Sequence, residues 1–164
     1  MRPRFVGEFL HKARVPYTTF HHPRAFTAMQ AAAVSHVPGR CWAKTVVCYA
    51  DAEPILVVLP AHYTIDFDRL CVLAGAKAVR LARSTELCDL YPDCEEGAMP
   101  PFGDLYGQRV FAEASLVGEP EMVFTAGTHT DCIRMHYFDF VEIAHPVVGL
   151  FGQPRSAAGA VASV

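Results

Sequence analysis

The ten residues from Cys41 to Ala50, Cys-Trp-Ala-Lys-Thr-Val-Val-Cys-Tyr-Ala, constrain this chain more than any other stretch. Aromatic and β-branched residues dominate it, and Pro38-Gly39 punctuates its entry, so it reads as a strand. Strand alternation puts Trp42, Lys44, Val46 and Cys48 on one face, which leaves Lys44 as the single charge among apolar neighbours there. Two readings account for such a lysine. Its stem can lie along apolar surface while the ammonium snorkels to water, or the cation can stand at the mouth of a pocket to meet an anionic or carbonyl oxygen. A second buried strand, Ile55 to Leu59, follows across Asp51-Ala52-Glu53-Pro54, a spacing that suits a hairpin, so the two strands are expected to pair.

The flanking chain alternates helix and strand signals. Phe5, Phe9 and Leu10, opposed by Lys12 and Arg14, fit a short amphipathic helix ending before Val15-Pro16, and Tyr17 to His22 fits a strand stopped by Pro23. Thr27 is placed to cap an alanine-rich helix over Ala28 to Ser35, with Gln30 where a capping box asks for it. Asp66 or Asp68 opens a helix that Gly75 closes, and Lys77 to Leu81 alternates as an edge strand. After a helical turn at Ser84 to Leu87 comes a long loop marked by Pro92, Gly97, Pro100, Pro101 and Gly103. Val110 to Ala114, Met122 to Ala126 and Asp131 to His136 have strand character, and Phe138 to Ile143 forms a last turn of helix or strand. Residues 1–152 make one domain. From Gln153 to Val164 the residues are small and weakly patterned and read as a tail without a role.

With 164 residues, 52% of them hydrophobic, the chain can bury a core without metal or disulfide help. A net charge of −3 excludes a global basic field, so a nucleic-acid partner must be met locally. No apolar run is long enough for a membrane span, and the N-terminus lacks a signal-type apolar core; the expectation is a cytoplasmic protein, monomeric or weakly dimeric. Its six cysteines lie in apolar segments and read as reduced, mostly core thiols, poor candidates for a Cys-His nucleophile. The histidines near Asp131 and Cys132 show no ligand spacing of a metal framework, so neither a metal nor another cofactor is expected.

The loop Gly97-Ala98-Met99-Pro100-Pro101-Phe102-Gly103 carries more information. Two glycines bracket two prolines, giving a stiff middle and ends free to take positive φ, and such a loop can turn amide N–H groups toward a ligand oxygen. It matches neither a P-loop nor a dinucleotide fingerprint. In order along the chain stand His22-Pro23 to Thr27 before an alanine-rich helix, Ala43-Lys44-Thr45-Val46, the Gly97 to Gly103 loop, and a glycine turn before an apolar strand, Thr125 to Met135.

This ordered set resembles the YbaK family, the domain shared with the editing insertion of bacterial prolyl-tRNA synthetase and its free-standing deacylase relatives, over roughly residues 5 to 151. The resemblance implies an α+β domain, with a mixed, curved, largely antiparallel sheet flanked by helices. It also implies a metal-independent hydrolase that cleaves the ester of mischarged aminoacyl-tRNA. Lys44 matches the family's required lysine and Thr45 the polar residue beside it. Gly97 and Pro101, with Ala98, Met99, Pro100, Phe102 and Gly103, match the loop that receives the aminoacyl group. Thr125, Gly127 and His129 fall on the turn lining the opposite side, and His22 and Phe26 lie where relatives place pocket or adenosine contacts. The implied partners are aminoacyl-tRNA and a synthetase of prolyl type. Thr125-Ala126-Gly127-Thr128-His129 departs from the usual smaller turn, and Cys132 stands where some relatives carry an acid. Met99 and Phe102 are expected to make a small apolar pocket, suited to alanine or another small residue. A non-catalytic module of the same fold, holding a nucleotide, tRNA or protein, is the alternative.

Overall fold

Apolar sides hold the first helices in place. In the computed structural model, which describes residues 3–155, helix α1 (Pro3–Lys12) buries Val6 and Leu10 completely. Arg14, at φ 57°, then turns the chain into strand β1 (Tyr17–His21). Helix α2 (Ala28–Val34) starts at Thr27, whose hydroxyl accepts from the Gln30 N–H at 3.1 Å, while the Gln30 amide oxygen accepts from the Phe26 N–H at 3.1 Å.

Strands β2 (Ala43–Ala50) and β3 (Glu53–Pro60) pair antiparallel along their whole length. Asp51, in the left-handed region at φ 54°, makes the turn, and its carboxylate accepts from the N–H groups of Lys77 and Ala78 at 3.1 and 3.0 Å. After strand β4 (Tyr63–Ile65) comes helix α3 (Phe67–Ala74), capped by Asp66 and closed by Gly75 at φ 66°. Strand β5 (Val79–Leu81) lies along the outer side of β2, pairing only with Cys48–Ala50. Helix α4 (Ser84–Leu90) and the long loop lead to strand β6 (Arg109–Glu113). Then come strands β7 (Glu121–Thr125) and β8 (Asp131–His136), helix α5 (Tyr137–Ala144), and strands β9 (Val147–Gly149) and β10 (Gly152–Pro154).

The strands form a mixed five-stranded sheet of order β5-β2-β3-β6-β9, a three-stranded antiparallel sheet β1-β8-β7, and the pair β10-β4. Among the described strands, the β3–β6 and β6–β9 ladders are parallel and the others antiparallel. The mixed, largely antiparallel α+β architecture implied by the sequence is therefore present, with its strands distributed over three ladders. A parallel bridge between Trp42 and Val123 joins the two larger sheets, with the Val123 N–H donating to the Cys41 carbonyl at 2.9 Å. Because Trp42 precedes the regular strand, it packs with Ala31, Ala32, Val37 and Val123, apart from the face shared by Val46 and Cys48.

The hairpin is buried on both faces. Val46, Cys48, Ile55, Val57 and Leu59 pack against α3 and Phe151, while Val47, Leu56 and Val58 pack toward α1, the second sheet and α5. Two expectations need correcting. Gln153 and Pro154 are not tail: they pair with Thr64 and Tyr63, which leaves β4 with a partner, and the Arg155 N–H donates to the His62 carbonyl at 2.8 Å. The rest of the expected tail, residues 156–164, lies outside the described residues. Only Cys48 and Cys132 of the six cysteines are buried, because the others fall on half-exposed or exposed positions of helices and loops.

The proline-containing loop is anchored in this core. Residues 98–103 are buried, and the Phe102 ring packs against Phe9, Phe124 and Phe140 at centroid separations of 5.3, 5.4 and 6.0 Å. Gly97 adopts the expected positive φ, 83°, but Gly103 does not. Gly103 is required instead by crowding, since a Cβ there would lie 1.9 Å from the Gln108 carbonyl oxygen. Gly103→Ala is therefore expected to destabilise the protein by more than about 2 kcal/mol. At Gly107, where φ is 65° and the space is open, alanine should cost only about 1 kcal/mol. Urea unfolding of the two variants measures the difference.

Candidate functional site

Strand β2 leaves a gap along its outer edge. The Cys41 carbonyl is taken by Val123 of β7, and the Val47 carbonyl accepts from the Ala82 N–H at 3.0 Å. Between these two covers, strand alternation turns the Thr45 peptide groups outward without a neighbouring strand. A cleft of about 660 Å³ occupies the gap. Its walls are the start of α2, strand β2, the corner between β5 and α4, and the loop and turn that carry Gly97 and His129.

Lys44 and Thr45 enter the cleft from the two faces of β2. The stem of Lys44 also borders a small apolar recess with Val46, Leu59, Ile65 and Phe67. Burial pushes its ammonium pKa down to about 8, and the positive charge of Arg155 acts in the same direction. Both features of the lysine read from the sequence are thus present at once: an apolar stem and a cation in a cavity. The Thr45 hydroxyl is buried and has no hydrogen-bond partner among the described residues, leaving a donor and acceptor available at the cleft wall.

The opposite wall is rigid because two loops are tied together. The Glu95 N–H donates to the Gly127 carbonyl at 2.9 Å, and the Gly127 N–H donates to the Ala98 carbonyl at 2.8 Å. The Glu95 carboxylate accepts from the His129 N–H at 2.7 Å, and His129 Nε2 donates to the Glu96 carbonyl at 2.7 Å. The hydrogen bond from the His129 main-chain N–H, aided by Arg24, holds the Glu95 carboxyl below its ordinary pKa. Thr128 and His21 both engage Asp131, each at 2.5 Å, and so hold the turn from behind. Positive φ at Gly97 and Gly127, 83° and 96°, lets the two backbones meet. At the mouth, Phe26 is 73% exposed, with the Arg24 guanidinium 5.6 Å from its ring centre and the His129 ring at 6.3 Å.

Of the residues singled out in the sequence, Phe26, Lys44, Thr45, Gly97, Met99 and His129 line this cleft. Ala98, Pro100, Pro101, Phe102 and Gly103 lie buried in the structure, and neither they nor Thr125 and Gly127 line the cleft. Gly127 acts in the tie between loops instead. His22 is buried beside Trp42, with ring centres 5.7 Å apart, and does not line the cleft. The apolar depth expected from Met99 and Phe102 comes instead from Met99 with Val47, Ala82 and Leu87, because Phe102 is committed to the core. Cys132 is enclosed in the cluster around Trp42, and burial pushes its thiol up to about 12. Arg83, Ser84 and Glu96 also line the cleft. The acidic pair Glu95-Glu96 directly before Gly97 was the signal for the last of these.

The depressed Lys44 pKa has a thermodynamic counterpart. Below about pH 8 the lysine is charged in the folded and unfolded chains, and the folded chain bears the desolvation penalty. Between pH 8 and the ordinary lysine value near 10.5 that penalty disappears, since the folded lysine is then neutral. Lys44→Met should accordingly be more stable than the wild type at pH 7, with an advantage that shrinks as pH rises through that window. Denaturant unfolding as a function of pH tests the sign.

No curated protein matches the chain. Among solved structures, the hypothetical protein APE2540 is similar with a TM-score of 0.82 and 21% identity, over 90% of this chain and 99% of that one. A candidate trans-editing enzyme for prolyl tRNA synthetase is similar with a TM-score of 0.79 and 20% identity, over 92% and 96% of the respective chains. A candidate signal transduction protein from Marinobacter aquaeolei has a TM-score of 0.73 at 14% identity, over 96% of this chain and 32% of its own. These likenesses establish the fold. Residues 22–143, which contain every cleft-lining residue named above, match the aminoacyl-tRNA editing domain, and the chain belongs to that family.

Proposed function

We propose that this domain hydrolyses the ester of mischarged aminoacyl-tRNA in trans, with the aminoacyl-adenosine end bound in the cleft on the bare edge of β2. The observation that carries this reading is the meeting of Lys44, the unpartnered Thr45 hydroxyl and the Gly97 turn in one cavity of a chain from the editing family. Water adds to the ester carbonyl carbon, and the tetrahedral oxyanion collapses with departure of the ribose oxygen, which takes up a proton. The products are free amino acid and tRNA.

Lys44 and peptide N–H groups supply the positive potential that this oxyanion, or the neighbouring phosphate, requires. A hydroxyl of the substrate assists the water, and no metal takes part; among the described residues, no three His, Cys, Asp or Glu side chains are grouped as a metal site needs. Val47, Ala82, Leu87 and Met99 form an apolar end that suits a small side chain. The reaction takes place in the cytoplasm, on a monomer or weak dimer. With a net charge of −3, the domain gains tRNA affinity from a synthetase of prolyl type.

The test is single-turnover hydrolysis of alanyl, cysteinyl, seryl and threonyl esters on proline and lysine acceptor tRNAs. One or a few esters should turn over, Lys44→Ala should lower that rate by about 100-fold or more, and a chelator should leave it unchanged. Full activity in Lys44→Ala overturns the role of the lysine. Binding without turnover in either form makes the domain a non-catalytic module.

A further inference from the structure

We infer that Glu96 binds the α-ammonium of the amino acid being removed, and thereby restricts the cleft to esters whose amino group is free. The inference rests on the hydrolase reading above and adds a residue and a substrate requirement to it.

An aminoacyl ester brings its own charge. With an ordinary α-amino pKa near 8, the group is mostly an ammonium at neutral pH, and its α-carbon is bonded directly to the carbonyl under attack. The charged side chains lining the cleft are Lys44, Arg83 and Glu96, alongside the His129 ring, and Arg155 adds positive charge near Lys44. Among the described residues that line the cleft, Glu96 alone offers a substrate ammonium an opposite charge, and taking that ammonium out of water without an anion is unfavourable.

Glu96 is built for the task. Its carboxylate accepts from the Ser84 hydroxyl at 2.6 Å, which draws it toward α4, and its main chain is fixed from the other side by His129. One carboxylate accepts several hydrogen bonds, so the serine leaves acceptor capacity for a substrate N–H. Neighbouring acids are already engaged: Glu95 takes the His129 N–H and Arg24, and Glu86 takes Arg80 and Arg83 at 2.8 and 2.9 Å. No ion pair joins Glu96 to a cation among the described residues. It also directly precedes Gly97, on the turn that faces Lys44 across the cleft.

The test pairs two enzymes with two substrates. The ester that turns over fastest in the panel above is prepared with a free amino group and with an acetylated one, and each is given to wild type and Glu96→Gln. Glutamine keeps the size of the side chain and an oxygen for Ser84 but removes the charge. Wild type should favour the free amine by about 10- to 100-fold in kcat/KM, as a charge-assisted hydrogen bond permits. Glu96→Gln should lose most of that preference, through slower hydrolysis of the free amine with little change for the acetylated ester. Any steric effect of the acetyl group is common to both enzymes and cancels in the ratio. An unchanged ratio, whether both rates fall together or neither moves, overturns the inference while leaving the hydrolase reading intact. Absence of wild-type turnover on every ester overturns that reading and the inference with it. Denaturant unfolding of Glu96→Gln at the wild-type midpoint shows that a lost preference does not come from a lost fold.

Discussion

A hairpin buried on both faces has no ordinary place for a charge, and this constraint shapes the rest of the molecule. β2 and β3 are covered on one side by α3 and Phe151 and on the other by α1, the second sheet and α5. Lys44 is tolerated only where β2 runs between its two covers, β5 and β7, and even there its proton is held less firmly than in water. The cleft is thus a consequence of incomplete edge pairing. Had β5 extended three residues further along β2, Thr45 would have met a strand neighbour and no cavity would remain.

The second wall depends on a different kind of interaction. The loop before Met99 and the turn before Asp131 are far apart in sequence, and Glu95 joins them through both its peptide and its carboxylate. Together with the Gly127 to Ala98 and His129 to Glu96 hydrogen bonds, this acid fixes where His129 and Gly97 stand relative to each other. Its neighbour Glu96 points to Ser84 and the cleft, so adjacent carboxylates divide into one that builds the wall and one that faces what enters.

Much of the fold was legible because its signals were local. Thr27, Asp66 and Gly75 mark helix ends through their own backbone chemistry, and each does what its residue type demands. The pairing of β2 with β3 followed from two apolar runs and a short turn. The site was legible in part: Lys44 stood out as a charge in an apolar strand, and Gly97 as a turn residue. What local patterning could not convey was burial by distant chain. Phe102 and Pro101 have the composition of a binding loop, but Phe102 is enclosed by aromatic rings of α1, β7 and α5 and Pro101 is buried next to it in the chain. Ser84 looked like nothing more than the start of a helix, and its meeting with Glu96 depends on how α4 folds back beside the loop. Gln153 and Pro154 carry almost no strand propensity, yet they pair with β4, which has no other strand partner among the described residues.

The aromatic anchoring of the proline loop fixes the wall of the cleft to which Gly97 and Met99 belong. Phe102 is wholly enclosed, and the chain from Ala98 to Gly103 cannot swing away without opening the hydrophobic core. This face of the cleft is therefore ordered before any ligand arrives, and binding loses little conformational freedom there. The wall is thus a fixed template, and its tolerance is set by the same packing that keeps the protein folded.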